Sequence, residues 1–405
     1  MSLSAFNLVN QYAALQAQFL DRHTQVIDQG VTPLIQRNGK TLINFSSNDY
    51  LGLASHPTVK HAAAEYLKQH GVGAGAAHLV TGHHAIHEQL EQRLAQVTGY
   101  PKAMLFSTGY MANLGVIDAL MGNLSANKSG IIYQDRLNHA SLLDGARLAG
   151  VKLRRYPHLD SVQLEHWLKQ DCLHQDCSHQ NQQQSAQKLI QIPKLIVTDQ
   201  IFSMDGTEAL LPELSRIAEQ YQAALMVDDA HGFGLRDFAN APLPQVDIYM
   251  ATLGKAIGTF GAFVAGSELL INYLKSRARS FIFTTATPPL IAAATLAALD
   301  VIEQEPWRQV KLQQHINRLR TALMQQGWNL LPSQSAIQPI IIGQAEDSLR
   351  LSAKLLEQGL LVSAIRPPTV PRGTSRLRIT LSAAHSDEHL QQLIAALTHH
   401  KNRMK

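Results

Sequence analysis

The feature that most constrains this chain is a repeated alternation of short apolar runs with longer segments of helical period. "AMLF" (103–106) meets the turn "STGY" and then "MANLGVIDALM". "GIIYQD" is followed by "HASLLDGARLAG", and "KLIVTD" by "IFSMDG" and the helical "LPELSRIAEQYQA". "ALMVDD" leads into "AHGFG", and "VDIYMATLG" into "KAIG". Runs this short are strands, and helical crossovers between them predict an α/β fold with a mainly parallel sheet. In such sheets chemistry gathers at the carboxyl ends of the strands. Ser107, Thr108, His139, Ser203, Asp228 and His231 all fall at such ends.

The flanks read differently. Ile86, Leu90, Leu94 and Val97 recur near helical spacing before this block. After it, "SAIQPIIIG" is expected as a strand, "DSLRLSAKLLEQG" as a helix stopped by Gly359, and "LLVSAIRPPTVP" as another strand. "SRLRITLSAAHS" then precedes a last helix carrying Leu390, Leu393, Ile394 and Leu397. The expected division is a large domain over 46–285, a smaller α+β domain over 286–405, and a segment 1–45 docking on the smaller one.

Composition excludes several classes. With 405 residues, 45% hydrophobic and 16% charged, the chain can bury a core and is not a disordered polymer. A net charge of +4 without a block of like charges gives no argument for nucleic acid. The start "MSLSAFNLVNQYAALQ" lacks the order of a secretory signal, and "PPLIAAATLAALDVI" is too short to cross a bilayer, so a cytoplasmic protein is expected. Cys172, His174, Cys177 and His179 lie in the glutamine-rich stretch 169–188, but their spacing fits no zinc pattern. That stretch is expected as a surface insertion, and no metal ligands are expected.

Lys255 in "ATLGKAIG" poses the chemical question. A phosphate-binding P-loop needs G-x-x-x-x-G-K-[ST], whereas here Tyr249 and Ala256 stand at two of the required positions. "GVGAGA" (71–76) has no strand leading into it, so it is a poor dinucleotide fingerprint. The other use of such a lysine is a Schiff base with pyridoxal phosphate, which needs a phosphate cradle and an anion on the pyridine nitrogen. "STGY" offers the N–H groups of Gly109 and Tyr110 at a helix start, and Thr252 adds a hydroxyl. Asp228 or Asp229 ends the preceding strand; a carboxylate about 4 Å from a pyridinium contributes roughly 4 kcal/mol at an effective dielectric of about 20. One of His139 and His231 could stack on the ring and the other bond its phenolic oxygen.

"NFSSNDYLGL", "FSTGYMAN", "NHASLLDG", "FSMDG", "VDDAHGFG" and "TLGKAIG" occur in the order seen in α-oxoamine synthases, which the chain resembles from about residue 22 to about residue 390. The resemblance implies a fold-type I pyridoxal phosphate-dependent transferase acting as a homodimer. Its ending, with "RPPTVP" and "RLRIT", is most similar to the branch that joins L-alanine to a pimeloyl thioester carried on coenzyme A or acyl carrier protein. A glycine- or serine-using relative, or a non-catalytic relative of the same fold, is the alternative.

The resemblance also implies roles. Lys255 matches the Schiff-base lysine and α-carbon base, and Asp228 rather than Asp229 the partner of the pyridine nitrogen. His139 matches the stacking histidine, His231 and Ser203 the neighbours of the phenolic oxygen, and Gly109, Tyr110 and Thr252 further cofactor contacts. Thr284 or Thr285 would complete the phosphate site of a partner subunit. Arg378 matches the arginine that takes the amino acid carboxylate, for which a guanidinium fork is suited. Asn48 resembles its neighbour, and Arg22 and Thr369 match positions near substrate or product. His83, His84 and His87 match nothing catalytic and are expected on a turn and helix surface. Asp199 stands where relatives commonly carry Glu, so a hydrogen bond there is expected to be lost or water-mediated.

Overall fold

The computed structural model describes residues 6–17, 21–22, 24–31, 33–122, 124, 130–179, 192–236, 238 and 246–402, with the backbone alone for 173–179. Strands β1 (Leu34–Arg37) and β2 (Lys40–Asn44) form an antiparallel pair. The central sheet holds β3 (Lys102–Phe106), β4 (Ile131–Asp135), β5 (Lys152–Tyr156), β6 (Lys194–Asp199), β7 (Ala224–Asp228), β8 (Ile248–Thr252) and β9 (Ala262–Gly266). Its order is β3-β9-β8-β7-β6-β4-β5. All neighbours pair in parallel except β9, which runs antiparallel to both β3 and β8. Six strands therefore point the same way, and their carboxyl ends share one edge.

Burial on both faces explains the unbroken apolar runs. Along β3 the side chains alternate, Leu105 joining one core cluster and Met104 and Phe106 another on the opposite face. The first cluster continues without a break into Phe45, Leu360, Leu377 and Leu397, which ties the two ends of the chain to the central sheet. The apolar stretch in "PPLIAAATLAALDVI" forms the helix Pro289–Gln304 against it.

The C-terminal part adds β10 (Ile337–Gly343), β11 (Leu360–Leu361), β12 (Ser363–Ile365) and β13 (Ser375–Thr380). Strands β10 and β12 flank β13 antiparallel, whereas β11 joins β2 in parallel. The single strand expected over "LLVSAIRPPTVP" is thus two pieces, because the chain changes sheets at the buried Val362. The reversal of β9 departs from an all-parallel order too, its "AFVAG" being apolar without a directional signal. The helix Ser161–His179 runs on into the glutamine-rich stretch, whose remainder lies outside the described residues.

His87 corrects the surface reading of the histidine cluster. It is fully buried on the helix Ala85–Thr98, where Nδ1 accepts the His84 N–H at 3.0 Å and Nε2 meets the Thr287 carbonyl at 2.9 Å. Burial pushes this imidazole down to about 4, so it packs as a neutral ring. His83 and His84 are half-buried, and His83 Nδ1 lies 2.8 Å from Nδ1 of buried His78.

Asp171 pins the β5 edge of the sheet to the helix 161–179. Its buried carboxylate accepts from Tyr133 Oη at 2.7 Å, Lys152 Nζ at 2.9 Å and Arg154 Nη2 at 2.8 Å. Burial alone would raise this carboxyl, but the three donors outweigh it and hold the group below its usual range. Replacing Asp171→Asn is expected to cost about 2 kcal/mol in denaturant unfolding at pH 7. A folded-state value below the unfolded one stabilises only while the group is ionised, so the difference from wild type should shrink as pH falls through the carboxylate range.

Candidate active site

The turn bearing Lys255 is drawn tightly between β8 and β9. Leu253 N–H donates to Gly261 O at 2.8 Å, Thr259 N–H to Leu253 O at 2.9 Å, and Gly258 N–H to Lys255 O at 2.9 Å. Gly258 has φ +74°, and a Cβ there would lie 2.4 Å from Ala54 N. Only glycine fits where this turn presses on the 53–54 backbone.

At the shared strand edge a cavity of about 180 Å³ is lined by Gly109, Tyr110, His139, Asp228, His231, Thr252 and Lys255, among others. Gly109 and Tyr110 open the helix Gly109–Met121, whose first N–H groups have no intrahelical acceptor. Thr252 Oγ1 donates to Gly261 O at 2.9 Å. Asp228 and Asp199 are register partners across β7 and β6, and both are buried. Burial and then the Asp228 charge push the Asp199 carboxyl well above its usual range. Asp199 Oδ2 accepts the His139 backbone N–H at 2.7 Å, so the shortened side chain makes a direct bond to the cap of the helix Ala140–Ala149.

Lys255 Nζ lies 2.7 Å from His231 Nε2, and His231 Nδ1 lies 2.6 Å from Tyr50 Oη. Burial lowers the lysine from 10.5 to about 8, against the pull of Asp228 and Asp199. Burial, then the lysine charge, depresses His231 well below its ordinary value, whereas burial pushes Tyr50 up to about 12. The imidazole is therefore neutral and the phenol protonated near neutral pH. Tyr50 Oη also donates to Asn48 Oδ1 at 3.3 Å, an oxygen that accepts from Arg378 Nη2 at 3.4 Å. Arg378 Nε donates to Ser203 O at 2.7 Å, which brings Ser203, Asn48 and Arg378 into one connected set with Lys255.

Two groups of candidates lie elsewhere. Thr284 and Thr285 do not line the cavity, and Thr285 bridges to Ala77. Arg22 and Thr369 face a separate cavity of about 560 Å³ together with Asp21, Gln25 and Arg366. Tyr50, Asn113 and Ser141 escaped the sequence reading, although each sits inside a quoted motif; no periodicity separates them from their neighbours.

Fold and site together define a fold-type I pyridoxal phosphate transferase. Residues 40–397 match the family described as aminotransferase class I and II. An 8-amino-7-oxononanoate synthase from Methylococcus capsulatus is 45% identical over 400 residues, covering 97% of each chain. The enzyme of the same name from Herminiimonas arsenicoxydans is 48% identical, covering 96% of this chain and 98% of its own. Among solved structures, a serine palmitoyltransferase from S. paucimobilis with a bound PLP–myriocin aldimine superposes with a TM-score of 0.86 at 26% identity, covering 100% of this chain and 99% of its own. An 8-amino-7-oxononanoate synthase from Francisella tularensis gives 0.71 at 30% identity, covering 90% and 98%. The chain belongs to the aminotransferase class I and II family and, within it, to the 8-amino-7-oxononanoate synthases, acyltransferases of biotin biosynthesis.

The residues present fit a pyridoxal phosphate. Asp228 is a buried carboxylate facing the cavity, Lys255 is an amine of lowered basicity beside it, and a helix start opens at Gly109. Among the described residues, no helix is long and apolar enough to cross a membrane.

The lowered lysine carries a stability cost. Between about pH 8 and 10.5 the unfolded chain holds the Lys255 proton and the folded chain does not, so its contribution improves with rising pH. In cofactor-free protein, Lys255→Met is expected to gain up to about 3 kcal/mol at pH 7 in urea unfolding. The gain should fade toward pH 10; an equal gain at both values would count against the buried charge as its source.

Proposed function

We propose that the chain condenses L-alanine with a pimeloyl thioester, releasing carbon dioxide and the thiol and leaving 8-amino-7-oxononanoate. Pyridoxal 5′-phosphate is the cofactor: when bound, it takes up the amino group through its aldehyde and accepts electron density from the α-carbon into its ring. The observation that carries this reading is the near full-length identity of 45–48% to synthases of that name, joined to a lysine, carboxylate and imidazole set in one cavity. Overall fold likeness could not carry it, because the serine palmitoyltransferase superposes more closely.

The remaining roles belong to the chain's own residues. Asp228 holds the pyridine nitrogen, and the N–H groups of Gly109 and Tyr110 with Thr252 hold the phosphate. Thr284 or Thr285 of a second copy completes that phosphate site in a homodimer. His231 and Ser203 lie at the phenolic oxygen, and His139 covers the ring. The Arg378 fork, steadied by Ser203 O and Asn48, takes the alanine carboxylate. Lys255, basic near pH 8, removes the alanine α-proton and returns a proton after carbon dioxide departs. His139 polarises the thioester carbonyl. Arg22 and Thr369, which face a cavity of their own, lie near bound substrate or product.

Mass analysis of the product from labelled alanine with pimeloyl-CoA and pimeloyl-acyl carrier protein tests the reaction. The amino ketone retaining the alanine methyl and nitrogen but not its carboxyl carbon is expected. Turnover of glycine with acetyl-CoA, or serine with a long acyl-CoA, in place of alanine would overturn it. Lys255→Ala should abolish the borohydride-reducible visible chromophore formed on adding the cofactor. Arg378→Lys, losing the fork, should raise the KM for alanine by roughly tenfold or more.

A further inference from the structure

A buried hydrogen-bond chain that none of these roles uses joins Asp228 to His139. Asn113, on the helix Gly109–Met121, is 1% exposed. Its Nδ2 donates to Asp228 Oδ2 at 2.7 Å and to Ser141 Oγ at 2.8 Å. Ser141 is fully buried in the first turn of the helix Ala140–Ala149, which His139 caps. Its Oγ lies 2.8 Å from His139 Nδ1, and its backbone N–H donates to that same nitrogen at 3.3 Å.

Two contacts constrain the protons in this chain, one at Asn113 and one at His139 Nδ1. Turning the Asn113 amide over would set its oxygen against the Asp228 carboxylate, so the NH₂ group must face Asp228 and Ser141. Its two protons then serve one partner each. Ser141 Oγ accepts from Asn113 and keeps a second lone pair, so the direction of its bond to His139 is set by the state of Nδ1. That nitrogen already accepts the Ser141 N–H, so it carries a lone pair. A neutral imidazole with no proton at Nδ1 bears it at Nε2. Desolvation and the Lys255 charge favour the neutral ring, with Asp228 pulling the other way.

We propose that Asn113 and Ser141 are positioning residues that tie His139 to Asp228 and fix its ring as the Nε2–H tautomer, a hydrogen-bond donor for a ligand in the cleft. On the reaction proposed above, which this consequence rests on, the Nε2–H donates to the thioester carbonyl oxygen as negative charge grows there. His139 then acts as a donor and not as a base, and proton removal from the α-carbon stays with Lys255. The chain also joins the carboxylate meant for the ring nitrogen to the imidazole meant for the ring face, so neither side chain can turn without breaking a bond in the link between them.

Long-range proton–nitrogen correlation spectra of the full-length protein, labelled with ¹⁵N-histidine, test the assignment with and without added pyridoxal phosphate. The His139 signals are identified by their loss in His139→Asn. An unprotonated Nδ1 and a protonated Nε2 are expected in wild type. Ser141→Ala keeps the backbone N–H but loses the hydroxyl, and should move both signals toward a mixture of tautomers. Ser141→Thr should restore the wild-type pattern, and Asn113→Ala should weaken it. In turnover, Ser141→Ala should lower kcat roughly tenfold with the KM for alanine changed less than about twofold, and Ser141→Thr should recover most of the loss. A proton at Nδ1 in wild type, or an unaltered tautomer in both Ser141→Ala and Asn113→Ala, overturns the proposal whatever the rates. A tautomer that shifts as expected, in protein that does not join alanine to pimeloyl thioester, would sink the proposed reaction and leave the relay standing.

Discussion

One amine and two carboxylates share a single cleft, both carboxylates buried, and much of the surrounding architecture serves to hold them there. Asp199 and Asp228 stand side by side because β6 and β7 are parallel and in register. Two buried carboxylates roughly one strand spacing apart (about 4.8 Å) repel each other strongly in a low dielectric. The protein relieves this by raising Asp199 through burial and by giving Asp228 the protons of Asn113 and Ala230. Lys255 supplies the opposite charge from the turn after β8; burial lowers its basicity, and the two carboxylates offset part of that loss.

The neutral groups act as wiring between these charges. His231 joins the lysine to Tyr50, Tyr50 meets Asn48, and Asn48 meets Arg378 on β13, more than a hundred residues further along the chain. Arg378 in turn holds Ser203 O beyond β6. A set that spans the central sheet and the C-terminal strands keeps its geometry only if both parts keep theirs. The continuous apolar core beneath, from Phe45 through Leu105 and Phe263 to Leu377, supplies that rigidity.

The sequence disclosed the parts of this arrangement that are local. Strand ends, helix starts and the glycine-rich lysine turn each have a signature within a few residues, and the parallel character of the sheet follows from the helical crossovers. Its silences are equally physical. The reversed direction of β9 depends on pairing with β3, more than 150 residues earlier, and no pattern inside "AFVAG" encodes it. His87 looks polar and therefore external, yet its two ring nitrogens are satisfied by His84 and by Thr287, 200 residues away. Asn113 and Ser141 sit in apolar helical surroundings where composition suggests mere packing; only their partners reveal otherwise. Asp199 was noticed as a shortened carboxylate, but its bond to the His139 N–H required coordinates.

The reversed strand has a consequence of a different kind. Because β9 lies between β3 and β8, those two strands are held two strand spacings apart, about 9.5 Å, and the helix start at Gly109 leans back across the gap until a Cβ there would lie 4.0 Å from Thr252 Cβ. At that edge β9 begins at Ala262, and the preceding Gly261, held at φ +106°, places no side chain in the gap. The strand works as a spacer between β3 and β8, and the backbone of the helix start folds over the room it leaves. The spacing of the strands is thus set by backbone hydrogen bonding, which leaves the side chains at the rim free to set the charge and shape of what fits between them.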